Sequence, residues 1–321
     1  MIDKNSVIHK DAKISETAEI GPYVVIGPNV EIRKNVKIHS HVNISGNTIV
    51  GDETIIFPFA SIGNAPQDLK YKGEKTKLEI GKNNKIREYV TINPGTEVGG
   101  GLTKIGNNCL FMISSHIAHD CVVGNNVIIA NNVPLGGHVT IEDNVVIGGN
   151  SAVQQFTRIG KLAMIGGMTG VLHDVIPYGL SIGNRNYLQG LNLIGLRRAN
   201  FNNKDILELN EAYKEIFATK NITDNIIKLK ASEFQIINSS AILDIWREQT
   251  ETAYKKSSTK SLSATVSIEL FVGFAKPSFF VVKNLSILNE VPLSAATPKG
   301  FSFKFSKLFK SLFLSLCNIS T

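Results

Sequence analysis

A chain of 321 residues, 43% of them apolar, is long enough for one elongated or two compact domains with a sizeable core, and no apolar run reaches the roughly 18 residues of a membrane span. The net charge of +7 does not mark a nucleic-acid-binding protein: residues 257–321 hold seven lysines against two glutamates, a surplus of five, which leaves the body nearly balanced. Three cysteines, Cys109, Cys121 and Cys317, are too few for a disulfide framework, and the start MIDKNSVIHK lacks the apolar stretch of a signal peptide, so a cytoplasmic location is expected.

From Ile8 an aliphatic residue returns every six positions, through Ile14, Ile20 and onward to Ile62. The rhythm resumes at Ile80, Ile86 and Ile92, restarts at Ile105, and runs through Phe111, Ile117 and Ile129 to Val171. Small or β-branched residues stand four places later, among them Ala12, Ala18, Val24, Val127, Val133 and Val145, and Gly, Asn or Asp commonly lie between. A period of six is neither helical nor simple strand alternation. It fits short strands joined by tight turns, three to a triangular coil of about 18 residues, with successive coils stacked in parallel. The pattern resembles the left-handed hexapeptide-repeat β-helix of the acyltransferase superfamily; the left hand comes from that resemblance, since connection rules alone favour a right hand.

Two excursions interrupt the rhythm, the lysine-rich residues 63–79 and the glycine-rich residues 94–104. Insertions in a solenoid emerge as loops, often on a binding face, and Gln67, Asp68 and Lys70 make the first a candidate substrate loop. The expected organisation is mainly β: a parallel β-helix over residues 1–189, a small α-helical domain over 190–256, and an extension over 257–321. In the second part NNKDILELNEAYKEIF reads as a helix with Asn203 as N-cap, Asp205 in its first turn, and Ile206, Leu209, Tyr213, Ile216 and Phe217 on one stripe. ITDNIIKLK and SSAILDIWREQTETAYKK read as two more, and the helical domain would cap the open end of the solenoid. The extension ends in KGFSFKFSKLFKSLFLSL, whose apolar stripe with Lys304, Lys307 and Lys310 beside it is either a surface-lying amphipathic helix, in peripheral contact with a membrane, or a disordered tail.

The stretch HIAHDCVVG holds His116, His119, Asp120 and Cys121. Adding 18 residues brings Gly137 beside His119 and His138 beside Asp120, and a further 18 brings Gln155 into the column, so these residues form one outward patch. Cys109 and Cys121 take the small inward position and read as core. A neutral imidazole next to a carboxylate suits base catalysis, and a glycine beside it offers an N–H to an oxyanion. Two other readings stay open on spacing alone: an exposed structural histidine, and a metal held by His116, His119 and His138 as in a carbonic anhydrase-like β-helix.

The segments MIDK, QDLKYKGE, GGGLTKIG, HIAHDCVVGN and GLRRANF resemble the family of UDP-N-acetylglucosamine O-acyltransferases over roughly residues 1–256. The resemblance implies transfer of a 3-hydroxyacyl group from acyl carrier protein to the 3-hydroxyl of UDP-N-acetylglucosamine, the first step of lipid A biosynthesis, by a homotrimer that needs no metal or cofactor. It implies His119 as general base, Asp120 as its orienter and Gly137 as oxyanion donor. It further implies substrate contacts at Asp68, Lys70, His116, His138, Gln155, Asn192 and Arg198, with Lys70 and Arg198 on the diphosphate, and an acyl-chain ruler at Gly167 suited to about fourteen carbons. Gln154, Ala199 and Pro94 depart from the family pattern, which bears on nucleotide and chain recognition and leaves the base and oxyanion donor in place. The pathway's amine-directed acyltransferase carries a separate N-terminal uridine-binding domain, for which repeats beginning at Ile8 leave no room. Coenzyme A acetyltransferases share the fold without the QDLKY and GLRR signatures.

Overall fold

The computed structural model describes residues 1–218. The two later helices, the rest of the expected helical domain and the basic amphipathic stripe lie outside the described residues.

From Val7–Ile8 to Gly170–Val171 the chain is a succession of short strands, most of them two residues long. The first residue of each faces out and the second faces in, as in Lys37–Ile38, where Lys37 is exposed and Ile38 buried. Two-residue strands need a sharp corner after each rung, and the backbone makes it by placing the third residue past the inward one in the left-handed region. Asn83, Asn108, Asn126 and Asn144 all have φ between 56° and 61°. Asparagine tolerates this conformation better than most L residues, which explains its abundance.

Three rungs complete a coil, and among the described residues the coils stack in parallel into three sheets of nine, eight and ten strands, the last of which ends in one antiparallel strand. We call these the first, second and third faces, in the order the chain visits them from Val7. The register is 18 residues where no excursion intervenes, as where His116 pairs with Pro134 and Ile117 with Leu135, and shortens to 16 at the last coil, where Met164 pairs with Leu180. Each rung donates backbone hydrogen bonds to the next coil, for example Val122 N to Val139 O at 2.9 Å. Inside, Ile117, Ile129 and Ile147 form fully buried columns, Phe111 is the one aromatic among them, and Val127, Val133 and Val139 fill the corners. At roughly 25 cal/mol per Å2 of apolar surface, this continuous column is the main source of stability. Cys109 and Cys121 are buried as expected and donate to the carbonyls of Gly124 and Gly136, both at 3.2 Å. Desolvation pushes their thiols up to about 11 and about 12.

Both excursions leave at one corner, between the first and second faces, in successive coils. They are shorter than the broken rhythm suggests. The chain rejoins the second face at Lys77 and Leu102, where Lys77–Ile80 pairs with Leu102–Ile105 over four residues, so the loops proper are residues 64–76 and 94–101. Strand alternation survives in LEI and TKI even though the six-residue count has been reset.

After Val171 the strand Gly179–Ile182 joins the third face, and Tyr187–Leu191 turns back antiparallel against it. Short helix Leu193–Arg198 follows, then Asn203–Ile216. The N-cap of the latter is Asn202 rather than Asn203: extended at ψ 162°, Asn202 accepts from Asp205 N at 2.9 Å, and Asn203 is already helical. Ile206, Leu209 and Ile216 bury against Leu162, Tyr178, Leu191 and Leu196 in a second apolar cluster.

Candidate active site

His119, Asp120, Gly137, His138 and Gln155 lie at the corner from which the excursions depart. The stacking predicted from the 18-residue count holds: His138 N donates to His119 O and Phe156 N to Gly137 O, each at 3.0 Å. Asp120 and His138 take the left-handed corner positions, with φ of 59° and 62°.

The description of these residues as one outward patch needs a correction at Asp120. Its side chain is 1% exposed, against 15% for His119 and 24% for His138. The loop 94–101 covers it. Thr96 donates twice to the carboxylate, from its amide to Oδ1 at 2.9 Å and from its hydroxyl to Oδ2 at 2.6 Å, and Asp120 N donates to Thr103 Oγ1 at 2.8 Å. His119 Nδ1 lies 2.8 Å from the same Oδ2. A carboxylate can only accept, so opposite it Nδ1 carries the hydrogen and Nε2 keeps its lone pair. That is the tautomer a base needs.

Gly137 is required by contact rather than by backbone conformation. A Cβ at this position would stand 2.6 Å from Cε1 and 2.7 Å from Nε2 of His119, so the imidazole occupies the space a side chain would fill. Among the described residues the Gly137 N–H makes no hydrogen bond, whereas the equivalent amides of Asn107 and Asn125 at another corner are taken by Asn125 Oδ1 and Asp143 Oδ1. The residue packed against the imidazole therefore has an uncommitted backbone N–H, the type of donor that a developing oxyanion requires. His138 stands edge-on to His119 at 5.1 Å and stacks on Phe156 at 4.5 Å.

The metal reading changes its membership here. The donor atoms that gather within 4.8 Å of one another belong to His119, Asp120 and His138. His116 is instead engaged with Thr91, Nδ1 to Oγ1 at 2.7 Å, and burial, with a smaller effect from His119, lowers its pKa. Of these donors, His119 Nδ1 and Asp120 Oδ2 are already bonded to each other, and Oδ2 accepts a second hydrogen from Thr96.

The remaining candidates are placed apart. Gln67 and Lys70 are exposed on the loop 64–76, where Asp68 Oδ1 accepts from Lys70 N at 2.9 Å. Asn192 caps the helix Leu193–Arg198, accepting from Gly195 N, and donates to Leu162 O; Arg198 is exposed in the last turn. Gly167 is exposed, and a Cβ there would meet only Gly149, whose carbonyl lies at 3.3 Å. Thr96, Thr103 and Phe156 escaped the sequence reading. Phe156 was reachable, since it is 18 residues beyond His138, but Thr96 lies in an excursion where the count gives no position.

Among the described residues no helix is long and apolar enough to cross a membrane. Residues 102–137 match the family described as bacterial transferase hexapeptide (six repeats), and residues 2–65 match the GMPPB C-terminal domain. The fold is thus a left-handed parallel β-helix of the hexapeptide-transferase class. Residues 174–254 match UDP-N-acetylglucosamine O-acyltransferase, domain 2. Acyl-[acyl-carrier-protein]–UDP-N-acetylglucosamine O-acyltransferase of Paracoccus denitrificans is 52% identical over 162 residues, which is 50% of this chain and 62% of that protein. The match to the first curated relatives thus spans less than two thirds of their length. Crystal structures of the UDP-N-acetylglucosamine acyltransferases from Moraxella catarrhalis and Bacteroides fragilis superpose with TM-scores of 0.73 and 0.74 at 41% and 40% identity. Each covers 77% of this chain, and 96% and 97% of the respective relative. The chain belongs to the UDP-N-acetylglucosamine O-acyltransferase family.

Proposed function

We propose that the protein moves a 3-hydroxyacyl group from acyl carrier protein to the 3-hydroxyl of UDP-N-acetylglucosamine in the cytoplasm, opening lipid A biosynthesis. The observation that carries the reading is the His119–Asp120 bond with the uncommitted Gly137 amide against the imidazole. His119 Nε2 takes the proton of the sugar hydroxyl as its oxygen attacks the thioester carbonyl, and Asp120 holds the ring and balances the imidazolium. The C–O bond forms, the carbonyl oxygen becomes an oxyanion at the Gly137 N–H, and collapse breaks the C–S bond. The imidazolium then returns its proton to the departing thiolate.

His116, His138 and Gln155 flank the base as substrate contacts. Gln67, Asp68, Lys70, Asn192 and Arg198 would complete the nucleotide site, with the sites lying between neighbouring chains of a homotrimer. Support for assembly comes from the third face, where Leu110, Ile128, Val146 and Met164 stack outward as a half-buried aliphatic stripe. The side-chain-free strip at Gly149 and Gly167 suits a long acyl chain, with Gly167 as ruler. The test is transfer from 3-hydroxytetradecanoyl carrier protein to UDP-N-acetylglucosamine with chelator present, for wild type and His119→Ala. Ester formation by wild type and a loss of orders of magnitude in the variant are expected. Activity that vanishes with chelator would transfer the role to a metal at His119, Asp120 and His138.

A further inference from the structure

We infer that Thr96 is a positioning residue for His119, and that the glycine-rich loop 94–101 closes on Asp120 in order to deliver it. The inference rests on the base mechanism above. The hydrogen bonds have one consistent direction. Gly99 N donates to Thr96 Oγ1 at 3.2 Å, which occupies the hydroxyl as acceptor and leaves its single hydrogen for Asp120 Oδ2 at 2.6 Å. The Thr96 amide donates to Oδ1 at 2.9 Å, and His119 Nδ1–H donates to Oδ2 at 2.8 Å. The carboxylate is therefore gripped at both oxygens by one residue of the loop, and the imidazole hangs from the side that remains.

Two glycines make this closure possible. A Cβ on Gly99 would stand 2.1 Å from Asp120 Cγ and Oδ2, and one on Gly95 would stand 2.8 Å from Oδ1 and 2.1 Å from Leu102 N. Neither contact is survivable for a side chain. Gly100 and Gly101, at φ of 101° and 80°, reverse the chain so that it re-enters the sheet. Thr96 is 4% exposed, so its hydroxyl is largely shielded from bulk water. Without that hydroxyl the carboxylate loses one of three donors and is freer to rotate about Cβ–Cγ, and the imidazole follows it. Thr96 touches no reacting atom in this scheme; it acts through Asp120.

The test compares Thr96→Val and Thr96→Ser by steady-state kinetics and by NMR of 15N-histidine-labelled protein. One hydrogen bond to a charged group corresponds to roughly a ten- to hundredfold effect. Thr96→Val is expected to lower kcat by that factor with KM for UDP-N-acetylglucosamine within about twofold, and Thr96→Ser is expected to restore most of it. The His119 Nδ1–H resonance, assigned through His119→Ala, should move in Thr96→Val and return in Thr96→Ser. Thr96→Ala carries the same test if the valine variant does not fold. Wild-type kcat in a folded variant, or a lowered kcat with an unmoved resonance, overturns the inference. If the wild type transfers no acyl group, the proposed function fails and the resonance alone decides whether Thr96 positions the imidazole.

Discussion

Gly137→Ala keeps the backbone amide that would face the oxyanion and adds only a methyl group, which makes it a clean probe of the imidazole's position. The added Cβ would sit 2.6 Å from His119 Cε1, whereas ordinary contact begins at 3.4 Å, so the two must part by about 0.8 Å. The backbone cannot readily supply that movement, because Gly137 is held between His138 N–His119 O and Phe156 N–Gly137 O, both 3.0 Å. The ring must move instead, and the 2.8 Å bond to Asp120 is what it gives up. A displacement near 1 Å of a catalytic group costs about a hundredfold, or about 2.7 kcal/mol in the barrier. Acyl transfer by Gly137→Ala should therefore fall by about that factor, while urea denaturation shifts by no more than about 3 kcal/mol, the worth of one hydrogen bond to a charged group. Turnover within threefold of wild type, in a variant whose stability is unchanged, would refute the contact argument.

Further outcomes follow from the same geometry. Iodoacetamide at pH 8 should leave Cys109 and Cys121 unmodified in the folded protein and label both in denaturant, as peptide mass mapping would show, because burial holds the thiols at about 11 and about 12. Folded values above the unfolded one mean that this contribution to stability is complete below about pH 8.5 and is lost as pH rises through 11 and 12; denaturation midpoints that rise with pH from 8.5 to 10.5 in wild type relative to Cys109→Ala/Cys121→Ala would contradict it. His116 runs the other way: its folded pKa is lowered, so its contribution is present above about pH 6.5 and lost as pH falls toward the folded value, a slope that His116→Gln should flatten in denaturation curves. Asn126→Ala should destabilise by about 1 kcal/mol and Asn126→Gly by less, since φ is 56° there; equal losses by calorimetry would count against the corner argument. Gly167→Met should shift chain preference toward shorter acyl groups in competition assays, and unchanged selectivity would remove Gly167 as the ruler.

The fold was legible because one side chain per rung must point inward, which writes the architecture into the sequence at an integral period. For the same reason His119, Gly137 and Gln155, each one coil from the next, could be placed together before any coordinates, with His138 one coil beyond Asp120. Legibility stopped where the count stops. Thr96 sits in a loop whose path no period constrains, so neither its grip on Asp120 nor the burial of that carboxylate could be read from spacing. The excursions were drawn too long because the strand alternation of Lys77–Ile80 and Leu102–Ile105 was hidden behind the reset rhythm. Asn202 and Asn203 are both good caps, and only backbone geometry separates them.

The 18-residue register also makes the molecule a counter that distinguishes folding from working. Deleting six residues from the uninterrupted stretch between His119 and Gly137 would preserve every inward aliphatic position and leave a solenoid core, yet it would turn everything downstream by one face. Gly137 and His138 would then arrive at a different corner from His119, and a well-folded chain would have no assembled site. Whole coils gained or lost beyond His119 keep the face of everything that follows, but only beyond Gln155 do they also leave the partners of the base beside it. The loops 64–76 and 94–101 escape this arithmetic because each returns to the corner it left. Within the uninterrupted coils length variation is therefore quantised. The loop 64–76 can change length without turning the rungs downstream, whereas the loop 94–101 can do so only within the contacts that Gly95, Thr96 and Gly99 make with Asp120.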